Sequence, residues 1–235
     1  MPKSRTTWVP DELASAGREN LDPDHVARYD DKMDAGAAEE VAMLRPRLPD
    51  RPTVLDLGAG TGQFTLAMAP HAERVVAVDV SPVMLERLRA KVDGAGATNV
   101  EVVHAGFLTY EHAGEPVDLA YSRFALHHLP DFWKAIALLR LASMVKPGGL
   151  LRLWDAVYNF EPSEAEAVLE RWFESGTSEN VDEDWLRDEL EEHVRDEHST
   201  FTWLLEPMID RAGFAIEAAD STDDRIFARY VCRRR

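Results

Sequence analysis

Between Thr53 and Trp154, short apolar runs alternate with helix-like stretches, and this alternation constrains the fold more than any other feature of the chain. The runs are TVLDLG, RVVAVDV, NVEVVH, PVDLAYS and GGLLRLWD. They are nearly continuous in apolar residues, as strands buried on both faces are. Strands of that kind separated by helices predict a doubly wound α/β fold, with a mostly parallel sheet covered on both sides. The stretch SPVMLERLRAKV carries a helix-start signal in Ser81 and Pro82, and VKPGG marks a turn ahead of the fifth run.

The flanks read differently. Residues 1–20 have no clear period and suit a loose arm. The next stretch, from Leu21 to Leu48, is helical in pattern, with Asp22 placed for an N-cap and Pro23 for the first helical position. The expected division is therefore an N-terminal arm and helical cap over 1–50 and a core over 51–235, with a helical insertion at about 160–200. That insertion holds two acidic helical stretches, SEAEAVLERWFES and DEDWLRDELEEHVRDE, in the position of a lid. A further helix, TFTWLLEPMIDRAG, ends at Gly213. FAIEAAD and RIFARYVC then read as strands joined by STDD, pairing antiparallel at one edge of the sheet.

A formal charge of −17 bears on partners. Nucleic-acid affinity comes largely from Lys and Arg neutralising phosphates, so a surface this acidic disfavours such a substrate. The short basic tail CRRR reads as a solubilising end. A lone Cys232 supplies neither a disulfide framework nor a cysteine metal site. No run approaches the roughly 18 apolar residues of a membrane span, and MPKSRTTWVPDELASAG lacks the apolar centre of a secretory signal. The expectation is a cytoplasmic protein without membrane contact, monomeric or homodimeric.

The chemistry lies in VLDLGAGTGQF. A dinucleotide fingerprint requires G-x-G-x-x-G. Here Gly58, Gly60 and Gly62 give G-x-G-x-G, and Gln63 stands where the dinucleotide pattern has its last glycine. Asp56 precedes the loop, awkward beside a pyrophosphate but suited to a cation, while the helix start that follows suits an anionic group. A ligand with an ammonium and a carboxylate fits both, and the amino-acid end of S-adenosylmethionine is such a ligand. Asp79, 21 positions after Gly58, is where a carboxylate bonds ribose hydroxyls in folds of this type.

With VLDLGAGTG, VVAVDVSPVML, FALHHLPD and VKPGGLL in this order, the chain resembles the class I S-adenosylmethionine-dependent methyltransferases over roughly residues 22–155 and again at the final two strands. The resemblance implies a seven-stranded Rossmann-like sheet with its last strand inserted antiparallel. It implies S-adenosylmethionine as cofactor and S-adenosylhomocysteine as product. Gly58, Gly60 and the nearby backbone would hold the methionine part and Asp79 the ribose, with Asp56, Ala59 and Val80 also in the cofactor site. Ser122 and Arg123 would complete the cofactor site. Many relatives bond the adenine amino group through an acid after the third strand; Gly106 stands there instead, with Phe107 and Leu108 expected to wall the ring and backbone or water to supply the polar contact.

The acceptor side is less defined. No Asn/Asp-Pro-Pro-aromatic tetrapeptide follows the fourth strand, so the usual device for methylating base amino groups is missing. His127 and Tyr29 stand where some small-molecule relatives close a histidine and a tyrosine over the methyl group. The imidazole would then accept the acceptor's proton and the phenol latch the lid. The alternative is that Tyr29 packs its ring beneath the cofactor and His127 only hydrogen-bonds the backbone, and His128 suits packing or capping. Trp154, Trp172, Trp185 and Trp203 either wall a small-molecule pocket or anchor the lid helices. No metal-ligand spacing is evident, and methyl transfer requires no metal. The reading is methyl transfer to O, N or C of a small organic acceptor. A nicotinamide-dependent oxidoreductase and a non-catalytic S-adenosylmethionine-binding protein are the alternatives.

Overall fold

A computed structural model of the chain describes residues 8–17, 20–22, 26, 36–175 and 187–235. The elements in chain order are α1 (Ala37–Leu44), β1 (Thr53–Leu57), α2 (Gln63–Met68), β2 (Arg74–Asp79), α3 (Pro82–Ala95), β3 (Val100–His104), β4 (Val117–Arg123) and α4 (Asp131–Met144). There follow β5 (Val145–Tyr158), α5 (Ala165–Ser175), α6 (Arg187–Asp196), β6 (Thr200–Phe201), α7 (Thr202–Ala212), β7 (Phe214–Ser221) and β8 (Phe227–Arg234).

Seven strands form one sheet in the order β3-β2-β1-β4-β5-β8-β7. The first five are parallel, and β8 runs antiparallel between β5 and β7. This is the doubly wound sheet with an inserted antiparallel last strand. The two-residue β6 adds an eighth strand beside the end of β5. Sheet order reverses between β1 and β4, the switch point beyond whose strand ends such folds bind ligands.

Local chemistry accounts for the helix ends. Ser81 caps α3 by accepting from the Met84 amide at 3.2 Å, with Pro82 next in line and a left-handed Gly96 closing the helix. Gly213, also left-handed, terminates α7. Leu55, Leu57, Val76, Val78, Leu151 and Leu153 face α4 and α7 on one side of the sheet, while Val54, Val75, Leu119 and Leu150 face α1 and α2 on the other. Arg152 reaches from β5 to α1 in a buried two-pronged pair with Glu40, at 2.6 and 2.7 Å. The helical insertion has its own core, in which Trp172, Phe173 and Leu190 pack with Tyr158, Phe160 and Ile226.

Two local expectations change. VKPGG is not a turn ahead of β5 but an excursion within it: Val117 pairs with Val145 and Leu119 with Leu150, so residues 146–149 bulge out, with Gly148 at φ +79°. The basic tail is strand, not a solubilising end; Cys232 is fully buried and Arg233 pairs with Glu217 at 2.6 Å. In the N-terminal cap the helix described is α1, starting at a left-handed Gly36. Pro23 lies outside the described residues, and at Asp22 the carbonyl accepts from the Val26 amide at 2.9 Å. Trp185 also lies outside them.

Candidate active site

The glycine loop leaves β1 at the sheet's switch point. Gly58 has φ +74°, and a Cβ on it would lie 2.2 Å from the Ala125 Cβ. The loop can pass under the β4–α4 connection only without a side chain. Its amide and that of Ala59 donate to the Val78 carbonyl at 2.9 and 3.0 Å. Gly62, at φ +89°, begins α2, and a Cβ there would fall 2.1 Å from Leu88 Cδ1 on α3. The third glycine thus makes room for a neighbouring helix.

Two acids flank the loop. Asp56 is 2% exposed, and its Oδ2 accepts from the Thr65 hydroxyl at 2.6 Å. Burial pushes its carboxyl up to about 7, against the Thr65 hydrogen bond and with help from the Asp79 charge. Asp79, at the end of β2, accepts from the Gly60 and Ser81 amides, both at 2.8 Å. Its pKa is raised by burial, and these backbone donors work in the opposite direction.

Two hollows over this loop share Gly58, Gly60, Arg123 and Phe124. One, of about 460 Å³, is walled by Asp56, Ala59, Phe64 and Tyr121, whose rings stack with centroids 3.5 Å apart in the Phe64–Tyr121 pair. The other, of about 600 Å³, is walled by Asp79, Val80, Gly106, Phe107, Glu12, Asn20 and His128. Phe124, between them, is held at φ +50°, a left-handed conformation costly for a side chain with a Cβ. The Arg123 guanidinium lies 4.0 Å from the Trp154 ring centroid.

The expected cofactor residues Asp56, Gly58, Ala59, Gly60, Asp79, Val80, Gly106, Phe107 and Arg123 therefore come together. Leu108 and Ser122 do not line either hollow. Leu108 contributes its amide, and Ser122 is 1% exposed with its hydroxyl unpartnered among the described residues. Tyr29 lies outside the described residues, so its pairing with His127 finds no geometry here.

His127 departs from the role of proton acceptor. It is 5% exposed and lines neither hollow. Its Nδ1 is hydrogen-bonded to Asp155 Oδ1, and its Nε2 lies 3.0 Å from Glu197 Oε2. Burial alone would depress its pKa, but the two carboxylates outweigh burial and hold it up at about 10. An imidazolium donating from both nitrogens has no lone pair for an acceptor's proton. His128 is the histidine in the cleft. Burial and the His127 charge push it down to about 3, so it stays neutral, and its Nε2 lies 3.4 Å from the Asn20 amide nitrogen.

Sequence reasoning missed Glu12. It sits on a turn, Glu12–Ser15, whose N-cap Asp11 accepts from the Leu13 amide at 3.3 Å. The Glu12 carboxylate accepts from the Leu108 amide and the Thr109 hydroxyl, each at 3.1 Å. A Cβ on residue 106 would meet it at 2.4 Å. The acid missing after β3 is thus matched by one delivered from the arm, in the space that glycine leaves. Burial raises its pKa and those donors oppose the rise. Asn20 fastens the arm, its carbonyl accepting from the Ser81 hydroxyl at 2.6 Å.

Residues 54–149 match a family model described as a methyltransferase domain. The chain is 40% identical over 119 residues to a cypemycin N-terminal methyltransferase of Streptomyces, an alignment covering 49% of this chain and 45% of that protein. It is 32% identical over 107 residues to a tRNA 5-carboxymethoxyuridine methyltransferase of Escherichia coli, covering 45% and 40%. Its fold superimposes on the N-methyltransferase NodS of Bradyrhizobium japonicum, solved with S-adenosyl-L-homocysteine, with a TM-score of 0.63 at 18% identity, covering 96% and 99% of the two chains. The chain spans about half the length of the curated relatives it matches. These matches liken residues 54–149 of the chain to methyltransferase domains, and the likeness to the solved structure is one of fold.

Proposed function

We propose that the protein transfers a methyl group from S-adenosylmethionine to a small organic acceptor. The observation that carries this reading is the Asp79 carboxylate, held by the Gly60 and Ser81 amides on the wall of the cleft over the glycine loop. The residues fit the cofactor's parts. Left-handed Gly58 and Gly60 leave backbone bare for the methionine portion, with Asp56 beneath it to face an ammonium. Asp79 suits the ribose diol, and Phe107 offers an apolar wall for adenine. Glu12 supplies an acceptor for the adenine amino group that Gly106 lacks. When bound, the cofactor supplies a methyl on a sulfonium, lost by cleavage of the carbon–sulfur bond to the attacking acceptor atom.

The chain's own task is to align the acceptor and exclude water. Arg123, Phe124 and Trp154 form a cationic and aromatic wall beside the cleft. Neutral His128 lines the same hollow as Asp79, with a buried Nδ1 lacking a partner among the described residues. A net charge of −17 works against a phosphate backbone and favours the small acceptor over RNA.

Calorimetry with S-adenosylhomocysteine and with NAD tests the cofactor. Formation of S-adenosylhomocysteine with a metabolite fraction, compared with a total tRNA fraction, tests the acceptor class. Binding of NAD alone contradicts the cofactor assignment. Turnover confined to tRNA contradicts the small-molecule assignment.

A further inference from the structure

The histidine withdrawn from the cleft belongs to a second constellation. His127 Nε2 comes from the connection after β4; His193 and Glu197 come from α6 and the residue just beyond it. One ligand atom from each lies within 4.8 Å of the other two. Glu197 Oε2 is 3.0 Å from His127 Nε2 and also contacts His193 Nδ1. Neighbouring ligands of a tetrahedral ion with bonds of about 2.0–2.1 Å stand roughly 3.3 Å apart, so the 3.0 Å His127–Glu197 separation is already close to ligand spacing, while the His193–Glu197 contact must open to admit an ion.

The outer nitrogens are also held. His127 Nδ1 bonds Asp155, which is fixed in turn by the Leu126 and Ala156 amides, both at 2.8 Å. His193 Nε2 lies 3.1 Å from the Ser199 hydroxyl, to which it can donate while Nδ1 faces inward. A carboxylate or hydroxyl behind each histidine is the arrangement that orients imidazoles toward a metal. Two imidazoles and one carboxylate favour zinc or another imidazole-binding first-row divalent ion over magnesium or calcium. A divalent charge also offsets the carboxylates of Asp155 and Glu197, which face these imidazoles.

We propose that His127, His193 and Glu197 bind one divalent transition-metal ion that pins the lid to the core. The backbone already follows this path, since the His198 amide donates to the His127 carbonyl at 3.0 Å and the Lys134 ammonium bonds the His198 carbonyl. The site is independent of the methyltransferase reading, which requires no metal. The sequence hid it because His193 and Glu197 sit four apart at the end of α6 while the third ligand lies 66 positions upstream of His193.

The test is titration of the chelator-treated full chain with Co²⁺ and Zn²⁺, by calorimetry and by the visible spectrum of the cobalt form. One ion per chain is expected, with cobalt bands of mixed nitrogen and oxygen ligation. His193→Ala and Glu197→Gln should each weaken binding by about tenfold or more. Removing the outer partner, in Ser199→Ala, should weaken it roughly 10- to 100-fold while leaving all three ligands in place. Because a lid variant can disturb packing, circular dichroism accompanies each, and the wild-type stoichiometry stands without any variant. Absence of saturable one-to-one binding by the wild type, or undiminished affinity in all folded variants, overturns the site.

Discussion

The Glu12 carboxylate occupies the space that a side chain on residue 106 would fill, 2.4 Å from where a Cβ would stand. An acid on the arm and a glycine after β3 therefore act as one unit. Glu12→Ala should weaken S-adenosylhomocysteine binding by roughly 1–3 kcal/mol, since it also strands the Leu108 amide and the Thr109 hydroxyl. Glu12→Gln, which keeps an acceptor oxygen, should lose less. Calorimetry gives both values, and equal affinity for wild type and Glu12→Ala would remove Glu12 from the site.

Asp79→Ala should weaken the same ligand by roughly 1.5–3 kcal/mol, the range for hydrogen bonds to a charged group. The fold should survive, because the carboxylate's structural partners are two backbone amides at the cleft wall. An unchanged dissociation constant would show that the ribose is held elsewhere.

Gly58→Ala should cost about 1–3 kcal/mol of stability, as overpacking against Ala125 adds to a positive φ. Urea unfolding measures it. Pairing the change with Ala125→Gly should recover part of the loss if the clash is its main source.

Asp56 makes stability depend on pH. Its pKa rises from 3.8 in the unfolded chain to about 7 when folded, so the folded state binds the proton more tightly. Stability from this group is fully present below about 3.8 and is lost as pH rises through about 7. Asp56→Asn should therefore raise the melting temperature at pH 8 relative to wild type and leave it nearly unchanged near pH 4, the gain scaling as about 1.4 kcal/mol per unit of raised pKa. Cofactor affinity should fall in the same variant. Parallel melting curves across that range would contradict the burial of an ionisable Asp56.

What the sequence made legible was local. Ser81, Pro82 and Gly213 act within one turn of the chain, and the apolar runs that became β1 to β5 declare themselves by composition. Gly58, Gly60 and Asp79 could be put forward from the sequence because the glycine loop and the acid at the end of β2 stand about 20 residues apart, and the fold brings them to one cleft. Glu12 was not, since it reaches its partners at 108 and 109 through the folded arm, and nothing in DELAS marks a ligand-facing acid. His127 misled for the opposite reason. Its place after β4 was correct, but its two carboxylate partners come from 28 and 70 positions downstream, and they turn the ring away from acceptor chemistry.

The insertion of β8 beside β5 carries a consequence for how the chain is made. β5 is complete on one edge once β4 is in place, but its other edge waits for residues 227–234, beyond the whole lid, α7 and β7. During synthesis the ribosome must deliver all of that intervening chain while Leu151 and Leu153 sit on an unpaired strand edge. Such an edge is a template for pairing with another nascent chain. The antiparallel insertion thus makes the seam between β5 and β8, inside the mature sheet, the last part to be sealed, and translation speed between the two strands sets how long it stays open.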